Sequence, residues 1–217
     1  MGKEDKLIMV VRRQDLFTNS EGFDDSFNGF KSLESINFEE RILKNYGFMT
    51  RKFAEIDSDY KQPIAYSLVI NPDLKKVFSY QRSKKDKNYS EKRLQGKFSL
   101  GIGGHIEKND IHLENANPIY DSLLREIKEE INLEVTNHAP EVLGYIYHNF
   151  GINAVHFGIL YVVRTNFENI KPKDPEIDNG KLRSIKELEQ ILCLPEFELE
   201  EWSKTSLNPL KDYFEKL

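Results

Sequence analysis

Three glutamates fall within two helical turns of REIKEEINL, which covers residues 125–133. Glu126 and Glu130 are four residues apart and Glu129 is a neighbour on the same side, so a helix brings these carboxylates together at repulsive spacing. Arg125 can reach Glu129, but no helical partner is evident for the other two. A hard divalent cation such as Mg²⁺ would relieve the repulsion because it prefers oxygen ligands. The alternative interpretation is a solvated acidic helix face.

A predicted helix over residues 117–132 positions these carboxylates. Asn117 suits the N-cap and Pro118 suits the first turn. The apolar residues fall on one face at helical spacing, and they are Leu123, Leu124, Ile127 and Ile131. The prediction therefore places the glutamates on an exposed stripe that faces away from the core.

The segment before this helix, SLGIGGHIE, is rich in glycine, and its Gly104 stands 21 positions before Arg125. At these residues the chain resembles the Nudix hydrolase family. The family motif runs glycine, five residues, glutamate, seven residues and then R-E-U-x-E-E-x-G-U, where U is aliphatic. Gly104 matches the opening glycine, and the second half is matched by Arg125, Glu126, Ile127, Glu129, Glu130 and Leu133. The resemblance extends over approximately residues 62–195.

The sequence departs from this motif at two places. The first glutamate falls on Asp110, with Glu107 or Glu114 as alternatives, and the connection to the motif arginine carries seven extra residues. We expect residues 107–118 to form an irregular loop over the metal site, because a long connection is usually functional or disordered. Asn132 replaces the last glycine, and both residue types tolerate the left-handed conformation that closes a helix. A lengthened connection with an N-terminal extension is similar to one subgroup of the family.

The resemblance implies a fold, a reaction and a cofactor. The fold class is α+β, a Nudix fold with a mixed β-sheet sandwiched between α-helices. The reaction is Mg²⁺- or Mn²⁺-dependent cleavage of a pyrophosphate bond in a nucleoside diphosphate linked to another group. The alternative is a catalytically inactive Nudix-like protein with a nucleotide-binding or regulatory role.

The same resemblance assigns roles to individual residues. Arg125 would orient a glutamate, and Glu129 would act as a ligand or position water. The implied metal ligands are Glu126, Glu130, Glu129 and the backbone carbonyl of Gly104. The resemblance also implies a further acid downstream, and its identity stays open between Glu168, Glu176 and Asp178.

A basic stretch over residues 75–97 holds nine Lys or Arg against two acidic residues, so its charge of +7 leaves −12 for the rest of a chain whose net charge is −5. This pattern predicts either a rim that attracts a polyphosphate substrate or a solvated loop. Arg82 and Lys97 are the better substrate-binding candidates because they adjoin predicted strand ends. His105, beside the glycines, is a third candidate.

The composition of the 217 residues limits the remaining classes of function. The net charge of −5 gives no general attraction to nucleic acid or to an anionic membrane. The single cysteine, Cys193, excludes an intramolecular disulfide and is expected in the core. The apolar run Leu7–Val11 is too short for a signal peptide or a membrane span. We expect a cytoplasmic protein whose partner is a small nucleotide, and its assembly stays open between monomer and homodimer.

The other patterns predict the surrounding elements. Residues 1–60 are expected to form an N-terminal extension that packs on the main domain, and residues 61–217 the Nudix hydrolase domain. Phe27, Phe30 and Leu33 share a predicted helical face. Strands are predicted over 7–13, 97–104, 142–150 and 154–164, a hairpin over 63–83, and helices over 38–47, 184–194 and either 196–204 or 206–217.

Overall fold

The computed structural model describes residues 2–83, 92–112, 117–133, 135, 139–195 and 197–217. Within these ranges the chain forms nine β-strands and six α-helices. The strands are β1 (Leu7–Arg12), β2 (Gly29–Ser32), β3 (Gly47–Thr50), β4 (Tyr60–Asn71), β5 (Lys76–Arg82), β6 (Phe98–Ser99), β7 (Glu141–Tyr147), β8 (His156–Arg164) and β9 (Ile177–Ser184). The helices are α1 (Arg13–Phe17), α2 (Phe38–Asn45), α3 (Arg51–Ala54), α4 (Pro118–Ile131), α5 (Ile185–Leu192) and α6 (Glu201–Glu215). The predicted α+β class with a mixed β-sheet is confirmed.

One compact unit consists of residues 1–66, 103–123 and 142–160. Its strands follow the order β2-β7-β8-β4-β1-β3, to which β4 and β8 contribute their first parts. β1 pairs antiparallel with β3 on one side and with β4 on the other. The first 60 residues thus share a unit with later segments of the chain, and a domain boundary at residue 60 stays a prediction.

The core of this unit is aromatic. The ring of Phe38 lies between 5.1 and 5.8 Å from four neighbouring rings, mostly edge-on, which is a favourable geometry for aromatic pairs. These neighbours are Phe17, Phe27, Tyr145 and Phe157. Because Phe17 and Phe38 belong to α1 and α2, both helices are attached to the strands by the same rings.

A second compact unit consists of residues 67–102, 124–141 and 161–217. Here β5 pairs antiparallel with the end of β4, with β6 and with β9, and the β9 register shifts between Ser79 and Gln81. α5 begins with a capping box between Ser184 and Glu187. The unit also contains the last two turns of α4, and with them the motif glutamates.

Several local predictions are wrong in informative ways. Phe30 lies in β2 rather than in a helix, because the backbone from Gly29 to Ser32 pairs with β7. The glycine-rich strand shrinks to β6, and Gly103 instead passes so close to the Ala65 carbonyl that an added Cβ would lie 2.6 Å from its oxygen. The two alternative last helices are one helix, α6, with Pro209 inside it. Cys193 follows the end of α5 and is exposed.

None of the helices in the described part of the chain combines the length and apolar character that a membrane crossing requires.

Candidate metal and catalytic site

The helix that carries the motif glutamates begins and ends where the sequence predicts. Asn117 caps its start, since the side-chain Oδ1 accepts hydrogen bonds from the backbone N–H groups of Ile119 and Tyr120 at 3.1 and 3.2 Å. Asn132 follows its last residue with φ of +50°, the left-handed conformation that the motif glycine would adopt. The replacement of glycine by asparagine therefore preserves the end of the helix.

The three glutamates of α4 differ sharply in exposure. The side chain of Glu129 is 59% exposed and that of Glu126 is 16% exposed, whereas Glu130 as a residue is only 9% exposed. The predicted exposed stripe is thus wrong for Glu130. The reason lies in helical geometry: Glu130 is seven residues after the buried Leu123, which places the two within about 20° of each other around the axis.

Arg125 links two of these carboxylates. Its Nη1 lies 2.7 Å from Glu126 Oε1 and 3.4 Å from Glu129 Oε2. The second contact is the predicted i+4 pair, while the first supplies the partner that sequence reasoning did not find for Glu126. This geometry suits the orienting role that the family resemblance implies for Arg125.

Glu130 is the electrostatically unusual member of the group. Burial is the main cause that raises its pKa to about 8; Arg82 opposes the shift, whereas the negative charges of Glu126, Asp174 and Glu200 add to it. Its Oε2 is buried and has no hydrogen-bond partner among the described residues. A carboxylate oxygen in that state is unfavourable unless a proton or a cation satisfies it.

The surroundings of Glu130 include two acids that sequence reasoning missed. Arg82 donates from Nε to Glu200 Oε1 at 2.7 Å, and its guanidinium lies 5.0 Å from the Tyr80 ring centroid. The backbone N–H of Asp174 donates to the Glu130 carbonyl at 3.2 Å. Asp174 lies in a loop and Glu200 at the N-cap of α6, so neither carries a periodic signal that would connect it to the motif.

The predicted downstream acids and Lys97 have other neighbours. Glu168 is exposed, Glu176 donates its N–H to Asp174 Oδ1 at 2.7 Å, and Asp178 pairs with Gln81 in the sheet. The choice between these three acids stays a prediction. Lys97 lies 3.1 Å from Glu198 Oε2 and keeps a partly exposed side chain.

The remaining predicted residues belong to the first unit or lie outside the described ranges. Gly104 is half-buried, and His105 Nε2 donates a 2.6 Å hydrogen bond to Gln62 Oε1. Asp110 is buried, and its Oδ2 accepts the Glu107 N–H at 2.7 Å in a capping box around a short 3₁₀ turn. Glu114 and residues 84–91 of the basic stretch are not among the described residues.

The donor set of the second unit fits a hard divalent cation. It consists of carboxylate oxygens, and one of them, Glu130 Oε2, is buried and has no hydrogen-bond donor in the part of the chain that the structure describes. Glu126 precedes Glu130 by one helical turn, and its negative charge raises the pKa of Glu130. Mg²⁺ and Mn²⁺ both accept oxygen ligands of this kind.

Comparisons with known proteins bear on the fold and on the family resemblance. No protein-family model matches the chain. Protein YmaB of Bacillus subtilis (strain 168) is 32% identical over 195 residues, which is 88% of this chain and 91% of that protein. The crystal structure of Tm1382, described as a candidate Nudix hydrolase, is 26% identical with a TM-score of 0.73, covering 96% of this chain and all of the other. The NUDIX domain of Shewanella oneidensis NrtR, solved with ADP ribose, shares the fold at 13% identity and a TM-score of 0.51, covering 70% and 88% of the two chains.

Proposed function

The chain belongs to the Nudix hydrolase family, and we propose that it uses Mg²⁺ or Mn²⁺ to hydrolyse a pyrophosphate bond in a nucleoside diphosphate linked to another group. The observation that supports this most strongly is Glu130, a buried carboxylate with an unpartnered oxygen one turn after Glu126. A carboxylate in this state destabilises the fold when it is uncompensated, whereas it can act as a ligand for a cation.

The roles of the residues follow from their exposure and contacts. Glu126 and Glu130 supply carboxylate oxygens to the ion, and Arg125 holds Glu126 in place through its 2.7 Å hydrogen bond. Glu129, whose side chain is mostly exposed, is free to accept a proton from the attacking water. A bound divalent ion would polarise phosphate oxygens and lower the pKa of water.

We propose that positively charged side chains recognise the phosphates of the substrate. Arg82 and Lys97 are the proposed phosphate-binding residues, and the charge of Arg82 acts on Glu130, as the charge of the proposed ion would. A substrate contact of His105 stays a prediction. ADP ribose is the first compound to test, because a domain of the same fold was solved with it. A cytoplasmic location and the choice between monomer and homodimer stay predictions.

The test is a screen of ADP ribose and related nucleoside diphosphate compounds with Mg²⁺ and with Mn²⁺. Glu126→Gln and Glu130→Gln should each lower kcat on the order of a hundredfold or more, because charge neutralisation and water activation are lost together. Lys128→Gln is the matched control, since Lys128 is exposed on the same helix and should leave kcat unchanged.

A second measurement separates hydrolysis from mere binding. Calorimetric titration with each compound reports nucleotide affinity independently of turnover. If the wild-type protein binds a compound in the presence of Mg²⁺ but hydrolyses none of those tested, the inactive nucleotide-binding alternative is correct. If turnover occurs and Glu130→Gln retains it, the ion does not depend on this helix.

A further inference from the structure

The first unit contains a group of two histidines and one glutamate, none of which is a motif glutamate. Glu55 Oε1 is 3.7 Å from His105 Nε2, and Glu55 Oε2 is 3.8 Å from His156 Nε2. One ligand atom from each residue lies within 4.8 Å of the others, and the imidazole centroids are 5.5 Å apart. The three side chains are partly buried, with between 12% and 22% of their surface exposed.

Three distant segments of the chain meet at this group. Glu55 follows the last residue of α3 in the N-terminal segment, and His156 is the first residue of β8. His105 directly follows the motif glycine Gly104, and its backbone bridges to Ile64. The group therefore lies where the N-terminal segment reaches the loop that opens the family motif.

Two buried polar atoms beside the histidines lack hydrogen-bond partners within the described residues. One is Glu55 Oε2, and the other is Nε2 of Gln62, a residue with no exposed surface. The Gln62 side chain nevertheless points at the group, since its Oε1 is 2.6 Å from His105 Nε2. Unsatisfied buried polar atoms are rare in folded proteins, and a water, an ion or a ligand usually satisfies them. Of these two atoms, Glu55 Oε2 is an acceptor that could ligate a cation, whereas Gln62 Nε2 is a donor that could bind water.

The local charge selects the class of ion. Arg51 donates from Nε to Glu55 Oε1 at 3.1 Å, so the single carboxylate of the group is already partly neutralised. A hard ion such as Mg²⁺ or Ca²⁺ needs several anionic or neutral oxygens, and this group offers few. Imidazole nitrogens suit Zn²⁺ and its transition-metal neighbours instead.

We propose that Glu55, His105 and His156 form a zinc site in which two imidazoles and one carboxylate are the protein ligands. In a tetrahedral site with bonds near 2.0–2.1 Å, neighbouring ligand atoms are about 3.4 Å apart. The Glu55 Oε1–His105 Nε2 and Glu55 Oε2–His156 Nε2 separations exceed that value by a few tenths of an ångström, and one ligand atom from each residue lies within 4.8 Å of the others, so small side-chain movements would close the site. Zinc would displace the proton that His105 Nε2 donates to Gln62 Oε1, and water or that amide oxygen would fill the fourth position.

The proposal gives the N-terminal segment a role that does not depend on hydrolysis. A bound ion would link Glu55 to His105 and thereby fix the residue next to Gly104. Because the ligands come from three segments that are remote in sequence, the ion would stabilise the folded chain and not the unfolded chain.

Zinc binding by the full-length protein tests the proposal directly. Protein stripped with a chelator is titrated with ZnCl₂ by calorimetry while excess Mg²⁺ occupies the oxygen site. We expect one equivalent to bind tightly. Glu55→Gln and His156→Asn should weaken this binding by more than the roughly 10–100-fold that the loss of an outer partner of a metal site costs. Glu130→Gln is the matched control and should bind zinc like the wild-type protein.

Cobalt provides a readout that requires no variant. The intense visible absorption of Co²⁺ in a low-coordinate site should appear in the wild-type protein and disappear when one equivalent of Zn²⁺ is added. Far-UV circular dichroism confirms that each variant is folded before its titration is interpreted. The proposal is overturned if wild-type protein gives only the weak spectrum of six-coordinate cobalt. It is also overturned if folded Glu55→Gln and His156→Asn both keep wild-type zinc affinity, or if Glu130→Gln removes the binding.

Discussion

Replacing Glu130 by glutamine should stabilise the metal-free protein at alkaline pH. The pKa of Glu130 is about 8 in the folded protein and 4.5 in the reference state, so folding favours the protonated form. The favourable contribution is fully present below pH 4.5, falls as the pH rises toward 8, and is absent above 8. At 1.36 kcal/mol per pH unit, the interval corresponds to about 5 kcal/mol as an upper limit.

Urea unfolding in the presence of a chelator measures this effect. Wild-type protein, Glu130→Gln and Glu129→Gln are compared at pH 5 and at pH 8.5. The free energy of unfolding of Glu130→Gln, relative to the wild type, should be higher at pH 8.5 than at pH 5 by about 4 kcal/mol at most. Glu129→Gln makes the same chemical change at an exposed position of the same helix, so its difference from the wild type should hardly depend on pH.

Two outcomes would refute the reasoning. One is a Glu130→Gln variant whose stability changes with pH in parallel with the wild type, since that means Glu130 is ionised without penalty. The other is a variant that loses stability at pH 8.5, which would make the Glu130 carboxylate a structural partner. In either case the interpretation of α4 as a solvated acidic helix would return.

Adding Mg²⁺ extends the same experiment to the proposed ion. At one hundred times its dissociation constant, a ligand that binds only the folded state raises the free energy of unfolding by about 2.7 kcal/mol. The wild-type protein should show this gain at pH 8.5, and Glu130→Gln should show little of it. An equal gain in both proteins would place the ion elsewhere.

Three further substitutions test the helix and the basic rim. Asn132→Val should lower the free energy of unfolding by about 1–2 kcal/mol, because a β-branched residue is strained at a φ of +50°. Asn132→Gly should keep or raise the free energy of unfolding, and thermal melting of the two variants measures the difference. Asn117→Ala should cost about 1 kcal/mol through the lost N-cap, and Asn117→Ser should restore most of it. Lys97→Ala should raise KM with little change in kcat, whereas Lys204→Ala, which removes another lysine from the same Glu198, should change neither.

The bounds of α4 could be predicted to within one residue because three independent signals coincide. The apolar spacing, the Asn117 cap and the family motif all point to the same segment. The burial of Glu130 could not be predicted in the same way. Repulsion between i and i+4 carboxylates suggests exposure, but the seven-residue spacing from Leu123 turns Glu130 toward the interior, and only the packing decides between the two.

The failure to predict β9 has a different cause. β9 reads IDNGKLRS, in which Asn179 has φ of +53° and the charged residues alternate irregularly with apolar ones. Its pairing with β5 is set by partners between 95 residues (Arg82↔Ile177) and 108 residues (Lys76↔Ser184) earlier, around a register shift between Ser79 and Gln81. Long-range pairing of this kind overrides local β-propensity, which sequence patterns report only weakly.

The charged groups around Glu130 are more negative than positive in sum. Five carboxylates and two guanidinium groups act on this part of the second unit, so the set carries more negative than positive charge when every acid is ionised. Arg82 cannot balance Glu130 alone, because its Nε is hydrogen-bonded to Glu200, and Arg125 is engaged by Glu126. A purely structural role would favour replacing such a group with apolar residues, since unbalanced buried charge destabilises a fold. The imbalance is what the proposed divalent cation would reduce.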